Sequence, residues 1–319
     1  MLFLHAGFNT VAHVSFKLPK VLKTTALAEE PVLAPVLRVN TPRGVRFLPP
    51  PGFHNLSLTL SYDGSAFQGY QSQPNAKTVQ DVLMKAWHIL TSELPTFYGC
   101  SRLDAGVDAR HFVLNFYTKT ALTADQLVRN LNGILHSNFE EPISIYRASL
   151  VAPEFNARFD AVGKHYRYLL WYGRGQHSLL TPRCWHLKTR SAPQHLEQVF
   201  RQYVGTFDFS AFRASDCNAK TTVRKIIDVQ TWHHPRFEEL VLVDFWGEGF
   251  LKNMIRNMVG TAVDVATGKL PSQTIQEAYI HGKREKGGQC APAHGLTLEQ
   301  VFYKTSALEA SVSAPRSFF

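Results

Sequence analysis

Beginning at Leu56 the chain alternates apolar and polar positions. Leu56, Leu58, Leu60 and Tyr62 fall every second residue, the period of a half-buried strand, and Asp63-Gly64 supplies turn chemistry to end it. Thr78 then opens a helix with Asp81 as its capping partner, and Val79, Val82, Leu83, Ala86 and Leu90 share one face of it. A second apolar alternation, Phe112, Leu114 and Phe116, predicts a strand over His111–Tyr117. Thr123 and Gln126 cap another helix carrying Leu127, Leu131 and Ile134, and Ile143–Tyr146 reads as a strand. Strand, helix, strand, helix, strand implies helices packed on one face of a sheet.

The second half follows the same plan without a strict sequence repeat. Tyr166–Tyr172 reads as a strand; Leu196, Val199, Phe200 and Tyr203 belong to a helix. Ile226–Trp232 and Leu240–Trp246 are strands joined near His233-His234-Pro235. Phe250–Thr267 is a helix with Met254, Met258, Ala262 and Val265 inward, ended by Gly268. Two similar halves predict one continuous sheet with a cleft between them. The expected divisions are an N-terminal extension over 1–52, closed by Pro49-Pro50-Pro51-Gly52, a first half over 53–160, a second over 161–304, and a polar tail over 305–319. The extension has no acidic residue before Glu29 and carries Lys17, Lys20 and Lys23. It is read as a poorly ordered tail, an organellar transit peptide being the weaker alternative because arginine is absent before Arg38.

Composition changes this picture in two ways. The formal net charge of +9 over 319 residues is an electrostatic argument for a polyanionic partner. The four cysteines form no CxxC pair and the fourteen histidines no HExxH pattern. That fits a reducing compartment, with cytoplasmic location expected, and gives metal catalysis no support. No apolar run reaches the length of a membrane span.

The stretch Gly99-Cys100-Ser101-Arg102-Leu103-Asp104-Ala105-Gly106 is a tight loop feeding the His111–Tyr117 strand, with Asp104 near its tip and small residues that let another molecule approach. On these residues alone, a solvated surface pair of Arg102 and Asp104 is the better reading than a site. Taken with other segments, however, the loop resembles the catalytic G-R-T-D-A-G-V-H pattern of the tRNA pseudouridine synthase A family. The further matches are Tyr62-Asp63-Gly64 through Phe67, Gly69, Gln71, Gln73 and Thr78-Val79-Gln80; Phe155-Asn156-Ala157-Arg158-Phe159; Tyr166-Arg167-Tyr168; Gly205-Thr206-Phe207-Asp208-Phe209; Phe212-Arg213; Phe250 through Gly260; and Ala291-Pro292-Ala293 with Gly295-Leu296. They run in family order over residues 54 to 303. Leu103, Asp108 and Asn156 depart from the pattern, the last two standing where the family has histidine.

The resemblance implies an α+β fold, a mixed and mostly antiparallel sheet with helices, built of two ferredoxin-like halves around a central basic cleft. It implies an isomerase that detaches a tRNA uracil from its ribose and rejoins it through carbon, in the anticodon stem-loop, without metal or small-molecule cofactor. Asp104 becomes the expected nucleophile and Arg256 the cation that keeps it ionised. Arg256 lies between Ile255 and Met258 on an otherwise core-like helix, so it should point at something specific. Tyr166 becomes the aromatic face for a flipped base, although Tyr168, two residues on, could take that role. Arg102 would help to extrude the base. Arg158, Lys164, Arg167, Arg213 and Lys252 are the candidate RNA contacts. Partners implied are tRNA and a second copy of the chain, with no membrane. The alternatives are a catalytically silent RNA-binding or RNA-folding protein on the same scaffold, and an aspartyl-nucleophile hydrolase, for which no general base or metal site is evident.

Overall fold

The computed structural model describes residues 37–41, 44–188, 194–284 and 287–315. In chain order the first half contains β1 (Leu37–Thr41), β2 (Gly44–Leu48), β3 (His54–Tyr62), α1 (Val79–Thr91), β4 (Tyr98–Gly99), β5 (Asp108–Thr118), α2 (Ala124–Gly133) and β6 (Ile143–Leu150). Then come β7 (Gly163–Trp171), β8 (Trp185–His186), α3 (Leu196–Arg201), β9 (Gly205–Asp208), β10 (Val223–His234), β11 (Phe237–Gly247), α4 (Met254–Ala266), α5 (Thr274–His281), β12 (Leu296–Phe302) and α6 (Thr305–Ser313).

The main sheet runs β6-β3-β5-β12-β7-β11-β10-β9, with β4 added on β5 and β8 on β7. Neighbours are antiparallel except β5 with β12 and β7 with β8, so the sheet is mixed and mostly antiparallel and the fold is α+β, as expected. The two halves meet at β12, which lies between β5 and β7. Strand alternation sets what each face does. On β11, Val241, Val243 and Phe245 enter the main core beneath α1 to α4, while Leu240 and Leu242 face the other way, against Trp171 and Trp232.

The capped helices form for the reasons read from sequence. Thr78 Oγ1 accepts from Asp81 N at 3.2 Å. Thr123 and Gln126 make a reciprocal capping box, with Thr123 N donating to Gln126 Oε1 at 2.9 Å. The helix expected from Phe250 begins only at Met254, because Asn253 adopts a left-handed backbone with φ 58°. In α4 every residue except Arg256 is buried.

Two terminal expectations need correction. The stretch over 305–319 is not simply a polar tail: Thr305–Ser313 is α6, and its Leu308 packs on Trp246 and Phe302. Within the supposed tail over 1–52, β1 and β2 form an antiparallel hairpin, and Arg46 is buried against Asp160 at 2.9 Å. Residues 1–36 and 42–43 of that segment lie outside the described residues. Among the described residues no helix is long and apolar enough to cross a membrane.

Candidate active site

The loop carrying Asp104 is pinned on both sides. Cys100 N donates to Val113 O on β5 at 2.8 Å, Val107 N closes a turn onto Asp104 O at 3.2 Å, and Tyr70 N donates to Leu103 O at 3.1 Å. The preceding loop lies so close that a Cβ on Gly69, whose φ is +102°, would sit 2.9 Å from Leu103 O. Only glycine permits that approach with that backbone.

Across the cleft, α4 presents its one incompletely buried residue to this loop. Arg256 Nη1 lies 3.4 Å from Asp104 Oδ2, with the two side chains 18% and 19% exposed. The guanidinium is aimed by a second bond, Nε to Ala291 O at 2.8 Å, and Ala291 N returns a bond to Arg256 O at 3.1 Å. Asn253 completes the shell. Its side-chain amide faces the carboxylate, where an oxygen would meet only acceptors, so the nitrogen takes that side and donates to Oδ2 at 2.5 Å and Oδ1 at 3.2 Å. Burial pushes the Asp104 carboxyl above its ordinary value; Arg256, and after it Lys252, pull it back, while Asp216 adds to the rise.

Tyr166 stands beside this pair on β7. Its hydroxyl shares a 3.0 Å hydrogen bond with Ser101 Oγ, and its ring meets Phe250 edge-on at 5.1 Å. Burial raises the hydroxyl's pKa. Tyr168 faces the same side of the strand but is fully buried, with its hydroxyl donating to Pro292 O at 2.8 Å; of the two tyrosines only Tyr166, itself 4% exposed, lines the cleft, alongside Phe159 and Phe250.

Asp104, Tyr166 and Arg256 line one cleft of about 1080 Å³, with Arg102, Arg158 and Lys252 around it. Arg102 is exposed. It is near enough to Arg158 that its charge, after burial, helps to lower the Arg158 pKa. Lys252 pairs with Asp216 at 2.5 Å.

The other basic candidates are placed differently. Arg167 points to the opposite face of the sheet, where it is buried against Asp244 at 2.8 and 3.1 Å beneath Trp232; alternation along β7 forces this once Tyr166 faces the cleft. Arg213 does not line the cleft. Lys164 does, but its ammonium is turned inward onto Cys100 O and Ser101 Oγ.

The departures Asp108 and Asn156 are structural, not groove-facing. Asp108 accepts from Gly64 N at 2.7 Å and from Arg183, which also pairs with Asp63. Asn156 Oδ1 accepts from the Arg158 and Phe159 amides. Asn253 and Ser101 were not singled out in the sequence. The one available signal for Asn253 was an asparagine just ahead of an apolar helix, a residue type that tolerates the left-handed backbone.

Among the described residues no group of three or more His, Cys, Asp and Glu side chains is placed to hold a metal ion. A family model described as tRNA pseudouridine synthase matches residues 199–304. A tRNA pseudouridine synthase A from Acetivibrio thermocellus is 38% identical over 249 residues, covering 78% of this chain and 99% of the relative. Those from Citrifermentans bemidjiense and Syntrophotalea carbinolica are 38% identical over 251 and 246 residues, covering 78% and 77% of this chain and 98% and 95% of theirs. A mixed sheet with a carboxylate, a cation and an aromatic ring at a basic cleft, together with these matches, places the chain in an isomerase class acting on RNA. The chain belongs to the tRNA pseudouridine synthase A family.

Proposed function

We propose that this protein converts uridine to pseudouridine in the anticodon stem-loop of tRNA, with Asp104 as nucleophile. The observation that carries the reading is the Asp104–Arg256 pair beside Tyr166 at the cleft. The reaction breaks the bond between N1 and C1′, turns the uracil, and forms a bond between C5 and C1′. One proton leaves C5 and one is taken up at N1, so the formula is unchanged and no external oxidant, reductant or group donor is needed.

A uridine within a stem must leave the stack to be reached, and the Tyr166 ring offers a face for it, worth about 1–3 kcal/mol. Arg102, exposed beside the nucleophile, takes the role of helping the base out or occupying its place. As the base covers the site, water leaves and the cost of a charged Asp104 rises. Arg256 and the Asn253 amide oppose that rise with two directed donors, and they can hold one carboxylate oxygen while the other reacts. Arg158 and Lys252 flank the cleft as phosphate contacts, which position the RNA without reading sequence. A cleft of this volume takes a flipped nucleotide and its neighbours, not a whole tRNA. We assign the remaining contacts to a second copy of the chain.

The test is to incubate an unmodified tRNA transcript with the protein and map pseudouridine by carbodiimide-blocked primer extension. Stops in the anticodon stem-loop are expected. Stops confined to another arm would overturn the assigned target, and the absence of any stop would overturn the activity and favour the silent RNA-binding reading.

A further inference from the structure

Lys164 is a basic residue of the cleft to which the proposed chemistry gives no role. A lysine meant for phosphate should extend its ammonium to solvent. Here the ammonium turns in, donating to Cys100 O at 2.8 Å and to Ser101 Oγ at 3.0 Å. Burial, with Arg158 adding to it, lowers the amine's pKa below the ordinary lysine value. Two of its three N–H donors are therefore spent on the loop that carries Asp104.

Lys164 and Tyr166 are two residues apart on β7 and share its cleft face, while His165 and Arg167 turn to Asp244 behind. The same Ser101 Oγ that accepts from Lys164 lies 3.0 Å from the Tyr166 hydroxyl. An ammonium can only donate, so Ser101 accepts from it, and the serine's own proton is free to be directed at the tyrosine oxygen. We propose that Lys164 is a positioning residue: through Ser101 it orients Tyr166 and latches the Asp104 loop to β7, holding the aromatic face and the nucleophile in one register. The latch spans two segments far apart in sequence, and β5 anchors its other end through the bond from Cys100 N to Val113 O at 2.8 Å. The inference rests on the proposed pseudouridine synthase activity.

The geometry separates two roles that both involve a cation in an RNA cleft. A phosphate contact contributes to affinity and to its salt dependence. A positioning residue contributes to the rate once RNA is bound. The experiment uses the full-length protein and a tRNA transcript tritiated at uracil C5. It measures single-turnover tritium release at saturating protein, and tRNA affinity over a series of salt concentrations, for the parent, Lys164→Met, Ser101→Ala and the double variant.

Lys164→Met is expected to lower the saturated rate by about 10²-fold, the scale of a misplacement near 1 Å, with the salt slope of binding unchanged. Ser101→Ala is expected to lower the rate in the same direction, and the double variant to be no slower than Lys164→Met alone, because the two act in series. Ser101→Ala keeps the lysine and its bond to Cys100, so it carries the test if Lys164→Met does not fold. A Lys164→Met protein with the parent's saturated rate and a salt slope reduced by about 0.7 would overturn the inference, as would an unchanged rate in Ser101→Ala or multiplicative losses in the double variant. Failure of the parent to release tritium would instead overturn the activity itself.

Discussion

Removing the cation from Arg256 should move the acid limb of the reaction to higher pH. As the proposed nucleophile, Asp104 would have to be ionised to act; burial already raises its pKa, with Arg256 the largest opposing influence. Activity is therefore lost as pH falls through the raised value, and Arg256→Gln removes the force that keeps that value down. At 3.4 Å and with both side chains under one-fifth exposed, solvent screens the pair little. The Coulomb attraction at an effective dielectric constant of 20 has a ceiling of roughly 5 kcal/mol at that distance. An adjacent cation in practice shifts a carboxylate by about 1–3 pKa units, each worth about 1.4 kcal/mol. The midpoint of the acid limb should accordingly rise by about 1–3 units in Arg256→Gln, with a smaller rise in Lys252→Gln. The assay is single-turnover tritium release from C5-labelled tRNA, at saturating protein, followed from acid to alkaline pH. An unmoved or lowered midpoint in Arg256→Gln would refute the electrostatic reasoning, even if the plateau rate fell. The same linkage has a stability corollary: because the folded state raises the Asp104 pKa, its ionised form is a burden to the fold, fully present above the folded pKa and absent below the unfolded one. Asp104→Asn should thus melt no lower than the parent at neutral pH.

Three further outcomes follow from packing. Gly260→Ala drives a Cβ into the Gln289 carbonyl oxygen and displaces the segment that supplies Ala291 O to Arg256, so thermal unfolding should show a loss of about 1–3 kcal/mol and single-turnover activity should fall with it. Arg167→Gln leaves Asp244 buried without its guanidinium and should cost about 3–5 kcal/mol in a denaturant titration, while the salt dependence of tRNA binding stays at the parent's value because Arg167 lies behind the sheet. Leu308→Ala should cost about 2–5 kcal/mol if α6 is integral to the fold, and a variant melting with the parent would show that it is not.

Much of the architecture could be read from local signals. Capping at Thr78 and Thr123 and the apolar period of α1, α2 and α4 are encoded within a few residues of one another, and each is present. The site was legible where one residue broke a pattern: Arg256, the single charge on the buried stretch of α4 before Asp264, does point at Asp104. What escaped was decided by distant partners. β12 lies directly after Gly295, and it is a strand because β5 and β7, far earlier in the chain, flank it. For Lys164 and Arg167, strand alternation says that they face opposite sides, but only the positions of Ser101 and Asp244 say which side meets the cleft. Asp108 falls in the motif where the family has histidine, and Arg183, 75 residues away, makes it a structural carboxylate. The β1–β2 hairpin was hidden by the triproline that follows it, whose linker reading extended to everything before it.

Everything proposed for the cleft depends on the Asp104 carboxylate carrying out the isomerisation. That role is tested most directly by single-turnover tritium release from C5-labelled tRNA with the parent and Asp104→Asn side by side, each at saturating protein and with tRNA binding measured in parallel. Release by the parent, none above background by Asp104→Asn, and retained tRNA binding by both are the expected results. Release from Asp104→Asn at the parent's rate would contradict that role.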